Sequence, residues 1–395
     1  MSNSMGRTRL RWAATCLAVA TAVAVSACGS SGSSSGGSTG GSSGGGSDSA
    51  SGVPSAVTPQ LASLYKGNSV APVATAPKPQ AGKKVWIISV AQSALVSAQA
   101  AQGAADAAHS IGWQATIFDG KGNPATMLSG IQQAIAAKAD GIITYAVDCS
   151  YVKTGLQAAK AAGIPVVAAE SQDCTPSLEH VITYAPAVGG YAGVEAAGGV
   201  DSAVYLIAKA GPHANLIDLK QTDSEATVLA SQAFESYVKK ECPGCTSVVV
   251  PFTTADIGPS LQQKVQQALL QHPNVNGIFT PYDTVETSGT SAAVLASGRA
   301  KSIYVISDGG DPAVYALIRE GRGATGELAF STVWEGYATV DWMNRLFHGI
   351  TPNANNAGTG IGFQVIDAGH GLPATGAPPS PVNFKADYDK AWGVK

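Results

Sequence analysis

The sequence predicts an α/β protein of two similar lobes, each a parallel sheet with helices on both faces. Two observations carry that prediction. Short, wholly apolar runs alternate with helical segments from residue 84 onward, as buried strands and their crossover helices do. The alternation also runs through two consecutive sets, for which about 310 of the 395 residues remain after an N-terminal tract that cannot fold.

The first set opens with "VWIISV" at 85–90 and repeats the apolar run in "ATIFDG" at 115–120. Residues 124–139 place Met127, Leu128, Ile131 and Ile135 on one helical face. Strand, helix and strand follow at 141–147, 152–163 and 164–170, and "HVITYA" at 180–185 closes the set. A helix over 190–210 starts the second set. Its strands are expected at 215–220, 247–252, 276–282 and 302–308, with helices between them. Sheets of this kind bind ligands beyond the carboxyl ends of their strands, so the residues just after each strand are the ones to examine.

The N-terminal tract reads as an export signal and a tether. Arg7, Arg9 and Arg11 precede an apolar stretch over 12–25, too short to span a bilayer and suited to the core of a signal peptide. Residues 29–52 are almost entirely glycine and serine, with nothing to bury against their entropy cost. Pro72, Pro77 and Pro79 stiffen the end of a disordered linker expected over 28–81. Loss of residues 1–27 leaves 21 basic and 27 acidic side chains, a net charge of −6. That balance argues against nucleic acid as a partner. A content of 45% hydrophobic and 13% charged residues is enough for a large core.

Outside the cytoplasm, disulfides persist. Cys149 and Cys174 each follow a strand, and the two strands are expected to be neighbours, so the sequence pairs them. "CPGC" at 242–245 lies at a helix C-terminus, where the dipole disfavours a thiolate; a structural disulfide round the Pro-Gly turn is expected rather than a redox pair. The six histidines show no metal spacing, and no catalytic motif is present, so neither a metal, a cofactor nor an enzymatic activity is expected.

Two resemblances follow from specific residues. Val25-Ser26-Ala27-Cys28 resembles the lipobox of bacterial lipoproteins, which implies lipidation of Cys28; an ordinary cleaved signal with an incidental cysteine is the alternative. "AGIPVV" followed by an acid, "QHPNVNGIF" with Asp283 shortly after, and "YVISDGGDPAVYALIREG" resemble, in order, the type I periplasmic binding proteins of the ribose- and galactose-binding branch. The resemblance covers roughly residues 84–352. It implies two Rossmann-like lobes joined by a three-crossover hinge. Their expected bounds are 82–187 with 331–360 for the first lobe and 188–330 with 361–395 for the second.

The same resemblance supplies candidate ligand contacts. In the first-strand loop, Gln92 and Ser93 stand where the family usually has an asparagine and two aromatics. After "IPVVAA" come Glu170 and Ser171, where the family has an acid and often arginine. An arginine of the ribose type falls at Val228, an asparagine at Tyr282 and a glutamine at Phe330, while the acid after "YVIS" is kept as Asp308. Alternatives stand beside each. Glu170 is a ligand carboxylate or an acid held by backbone amides; Asp308 is a ligand group or a helix cap; Tyr282 and Phe330 are ligand contacts or packing. Trp334 is read as core, and Asp148 as a cap or turn residue. Carboxylates suit vicinal hydroxyls, and the exchange of arginine for apolar and aromatic residues implies a ligand with an apolar face.

The implied function is capture of a small molecule by lobe closure and delivery to an ABC transporter permease. The protein is expected to act as a lipid-anchored monomer at the outer face of the cytoplasmic membrane. A ligand sensor that presents its closed form to a membrane receptor or kinase is the second reading. Repressors sharing the fold carry an N-terminal DNA-binding element, where this chain has an export signal.

Overall fold

The computed structural model describes residues 52–185 and 190–394. Cys28, the expected export signal and most of the glycine-serine tract lie outside them. A first helix, α1 (Val57–Lys66), precedes the two sets. The first lobe contains β1 (Lys84–Ser89), α2 (Leu95–Ser110), β2 (Gln114–Asp119), α3 (Pro124–Ala136), β3 (Gly141–Tyr145), α4 (Cys149–Ala161), β4 (Val166–Ala169) and β5 (His180–Val181). Its five strands are all parallel, in the order β2-β1-β3-β4-β5. Of the strand expected over 180–185, only His180 and Val181 pair.

The second lobe begins with α5 (Gly190–Ala210), β6 (Asn215–Gln221), α6 (Glu225–Glu241), β7 (Thr246–Phe252), α7 (Pro259–Gln271) and β8 (Gly277–Phe279). It continues with α8 (Asp283–Val285), a wider π turn over Glu286–Thr290, α9 (Ser291–Ala296), β9 (Tyr304–Gly309), α10 (Pro312–Glu320) and β10 (Gly326–Ala329). The chain then returns to the first lobe for α11 (Thr332–Phe347) and α12 (Ala354–Ala357), and crosses again to β11 (Gln364–Asp367). The second sheet runs β11-β10-β9-β8-β6-β7 and is parallel except for the β10–β11 pair. A last helix, α13 (Phe384–Trp392), ends the chain.

Local chemistry explains the punctuation. Asn123 caps α3, its side chain accepting from the Thr126 amide at 3.1 Å, with Pro124 at the first helical position; Asp311 and Pro312 repeat the device at α10. Helices α2 and α11 cross closely because small residues face each other. A Cβ on Gly336 would lie 2.3 Å from the Ala104 nitrogen, and one on Gly103 2.6 Å from the Val333 oxygen. Each sheet is covered on both faces, β3 and β4 being buried along their whole lengths.

Two boundaries differ from the sequence reading. The tract expected to stay unfolded through residue 81 carries α1, which buries Val57 and Leu61 against α5 of the second lobe. Residues 68–73 then lie along the third crossover: the amides of Asn68, Val70 and Val73 donate to the carbonyls of Phe363, Gly360 and Gly358 at 2.9–3.2 Å. Residues 75–78 reach the first lobe, where Arg345 and Asn344 donate to the Thr75 and Pro77 carbonyls. The second difference is at the C-terminus. Residues 361–395 were expected in the second lobe, yet α13 packs on the first, with Trp334 stacked on Phe384 at 5.0 Å and Tyr337 against Trp392 at 6.1 Å. Three aromatic residues spaced by four give α13 a face that only an apolar partner can cover.

Candidate functional site

The carboxyl ends of the two parallel sheets face each other across a cavity of about 530 Å³. That is the size of a small-molecule site. In each sheet the chain order reverses beside a central strand, β1 in the first and β6 in the second, which opens the crevice there.

On the first-lobe side, the loops after β3 and β4 form one unit. Ala146 and Glu170 both have left-handed backbones, with φ of 53° and 49°, a conformation that L residues hold only when surroundings impose it. Here the surroundings do so. The Ala146 amide donates to the Ala169 carbonyl at 3.0 Å, and the Val147 amide to Ser171 Oγ at 3.1 Å. The Gln172 amide donates to Asp148 Oδ1 at 2.9 Å, the Cys149 amide to the Gln172 carbonyl at 3.0 Å, and a Cys149–Cys174 disulfide closes the loops. Glu170 is thereby aimed into the cavity.

Behind Glu170 stands Glu335 of α11, fully buried, accepting hydrogen bonds from the hydroxyls of Tyr145 and Tyr184. Burial pushes Glu170 up to about 7, offset in part by hydrogen bonds from Tyr145 and Glu335. Burial and then the Glu170 charge hold Glu335 well above the usual carboxylate range. Among the described residues no backbone amide reaches the Glu170 side chain, which removes the backbone-held alternative.

On the second-lobe side, Tyr282 donates to Gln221 Oε1 at 2.7 Å, and Gln221 Nε2 donates to Asp223 Oδ1 at 2.9 Å and Thr254 Oγ1 at 2.8 Å. Asp308, the penultimate residue of β9, keeps Oδ1 sealed from solvent without a hydrogen-bond partner among the described residues. The cap of α10 is Asp311 instead, its Oδ1 accepting from the Ala313 amide at 2.7 Å. Burial, then the charges of Glu195 and Glu170, raise Asp308 well above its ordinary value. Phe330 and Phe363, on two crossovers, tilt against each other at 5.3 Å, and Tyr184 stacks on Phe363 at 6.0 Å. At the rim, the Tyr151 hydroxyl of the first lobe donates to the Asp223 carbonyl of the second.

The structure therefore brings Ser93, Glu170, Tyr282, Asp308 and Phe330 to one cavity wall. It leaves three sequence-based expectations elsewhere. Ser171 is fully buried behind the wall, where it bridges Val147 and Ala169. Gln92 is not on the wall; its backbone N–H donates to Asp119 Oδ1 at 2.9 Å, and its side-chain Nε2 is buried without a hydrogen-bond partner among the described residues. Val228 is also off the wall, because α6 presents Ser224, Ala226 and Thr227 to the cavity. Trp334 is core. Asp148 holds the two loops together and also lines the cavity.

Sequence reasoning missed Tyr184, Tyr191, Glu195, Gln221, Asp223 and Phe363, all on the wall. Tyr191 and Glu195 are four apart on α5 and so share a helical face, which is the signal that was available. Burial and the Glu170 charge push Glu195 up to about 8, against a hydrogen bond from Tyr191. The "CPGC" pair is joined as a disulfide at the end of α6, with the Cys245 amide turning back on the Cys242 carbonyl at 2.9 Å.

Residues 85–350 match the periplasmic binding protein domain family. The ribose import binding protein RbsB of Bacillus subtilis (strain 168) is 23% identical over 240 residues, 60% of this chain and 73% of its own length. Among solved structures, an ABC sugar transporter subunit from Rhodobacter sphaeroides 2.4.1 superposes with a TM-score of 0.60 at 21% identity, over 69% of this chain and 94% of that one. A chain of the XylFII-LytSN complex gives 0.60 at 17%, over 74% and 100%. With two parallel α/β lobes, a cavity at their facing carboxyl ends and a domain match over most of its folded length, the chain belongs to the periplasmic binding proteins, in their type I form.

Proposed function

We propose that this protein captures a small, carbohydrate-like or partly apolar molecule between its lobes and delivers it to an ABC transporter permease, from a lipid anchor at Cys28. The observation that carries the reading is the cavity itself. It joins carboxylates from both lobes, Glu170 and Asp308, to the aromatic rings of Tyr282, Phe330 and Phe363. A carboxylate accepts two hydrogen bonds from vicinal hydroxyls, and an aromatic face packs on the apolar side of a ring and excludes water. A ligand held by groups from both lobes stabilises the closed arrangement over the open one by its differential affinity.

The test is binding. A thermal-shift and calorimetric screen of sugars, polyols and aromatic metabolites should yield a ligand whose affinity falls about ten- to 150-fold on Asp308→Ala, the cost of losing charge-assisted hydrogen bonds. A ligand indifferent to Asp308→Ala, Glu170→Ala and Phe330→Ala together would place the site elsewhere. The second reading, a sensor, is favoured by the fold shared with a chain found in complex with another protein. Uptake of the labelled ligand separates the two: deletion of the protein abolishes uptake under transport and leaves it intact under sensing.

A further inference from the structure

We propose that the ligand carries a positive charge: the cavity is built for a hydroxylated or aromatic amine whose ammonium group sits among Glu170, Glu195 and Asp308. The inference rests on the reading of the interlobe cavity as the binding site, and it goes further by fixing the sign of the ligand's charge.

Five carboxylates lie on the cavity wall, Asp148, Glu170, Glu195, Asp223 and Asp308, against one base, Lys121, among its described residues. Two of the five are held by backbone amides. Asp148 accepts from the Gln172 amide, and Asp223 from the Thr254 amide and Gln221. Of the other three, Glu195 on α5 and Asp308 on β9 belong to the second lobe, and Glu170 at the end of β4 joins them when the two lobes meet. Among the described residues, none of them is in an ion pair. Asp308 Oδ1 is also without any hydrogen-bond partner. Carboxylates brought together out of water with no cation repel one another and lose their solvation.

Nor is the missing charge supplied from behind. The groups backing the wall are themselves acids, Glu335 beside Glu170, and Asp283 near Asp308 and hydrogen-bonded with Glu327. Burial pushes Glu170 up to about 7, and burial together with the Glu170 charge pushes Glu195 up to about 8. A neutral polyol leaves the ionised form of these acids disfavoured, whereas an ammonium ion stabilises that form and is attracted to it. The remaining wall suits the same ligand. Phe330, Phe363 and Tyr184 form a contiguous aromatic surface, and Tyr191 stands beside Glu195. Ring faces attract a desolvated cation as well as an apolar body.

The test uses matched pairs on the full chain, by isothermal titration calorimetry in one buffer: glucosamine against glucose, and tyramine against 2-(4-hydroxyphenyl)ethanol. The amine of at least one pair should bind about ten-fold or more tightly than its neutral partner, the effect of a charge-assisted hydrogen bond. Glu195→Gln and Asp308→Asn should each erase that preference. A neutral partner that binds as well as its amine overturns the proposal, as does the absence of binding by both amines. If Phe330→Ala weakens that neutral partner, the cavity stands as the site and only the charge is wrong. Binding that ignores Phe330→Ala, Glu195→Gln and Asp308→Asn alike overturns the site as well.

Discussion

Removal of the Cys149–Cys174 disulfide should unfold the first lobe more readily and loosen the ligand wall, and the size of the effect follows from the chain it closes. The two cysteines are 25 residues apart in sequence and 5.2 Å apart at Cα. The loop-entropy relation gives about 3.5 kcal/mol for a loop of that length, against about 1.9 kcal/mol for one the size of Cys242–Cys245. The natural test is guanidinium unfolding of Cys149→Ala/Cys174→Ala followed by tryptophan fluorescence. All five described tryptophans, Trp86, Trp113, Trp334, Trp342 and Trp392, belong to the cores of the first lobe. The signal therefore reports the lobe that holds this disulfide. With a slope of about 5 kcal/mol/M, the midpoint should fall by about 0.7 M. Ligand affinity should fall with it, because the same loops hold Glu170 in its left-handed conformation. A shift below about 0.2 M, or a larger loss from Cys242→Ala/Cys245→Ala in the same signal, would refute the loop-length argument.

Other outcomes are expected. The ligand-free protein should lose thermal stability as pH rises from about 4.5 to about 8. Burial pushes Glu179, Glu195 and Glu286 up to about 8 and Glu170 and Asp201 up to about 7. The folded chain thus binds more protons than the unfolded one across that window, and stability falls with pH; a melting temperature that climbs there contradicts the assignment. Gly360→Ala should release the N-terminal arm, since φ is 75° and a Cβ would lie 2.0 Å from the Val70 carbonyl. The left-handed backbone alone costs about 1–2 kcal/mol, and limited proteolysis should open sites in 52–73; an unaltered cleavage pattern and melting temperature rule this out. Cys28→Ser should free the protein from membranes or leave its signal uncut. Mass spectrometry finding an unmodified N-terminus at another residue in the native protein would exclude the anchor.

The fold was legible because buried parallel strands announce themselves as apolar runs. "GIITY" and "VVAA" are buried at every position, and their short length and alternation with helical segments mark them as strands. The cavity wall was legible where it is built by residues at or just after strand ends, as with Glu170, Tyr282 and Asp308. It was illegible on helices, whose faces turn about 100° per residue. Expecting a contact at Val228, one residue beyond Thr227, points the side chain away from the cavity. Tyr191 and Glu195 share a face, but only knowledge of which lobe covers α5 tells that the face is the inner one. Phe363 stands in a crossover with no periodicity to mark it.

The N-terminal arm is the instructive failure, because its signal lay elsewhere in the chain. Read alone, residues 53–81 are proline-rich and continue a glycine-serine tract that cannot fold, and that context counts against folding. Such reasoning treats a segment as though it must build its own core. A few apolar residues suffice when a finished lobe offers the rest, as Val57 and Leu61 find on α5. The better evidence is in the third crossover, where glycine recurs at every second position, Gly358, Gly360 and Gly362. Glycine at that spacing marks a close approach by another backbone. A Cβ at each would meet the arm: Val73 Cγ2 at 3.5 Å, the Val70 oxygen at 2.0 Å and Asn68 Oδ1 at 2.2 Å. The arm is thus recorded in the residues it covers rather than in its own. Because it bonds the second lobe, the crossover and the first lobe in turn, any opening of the cavity must carry it along or peel it away.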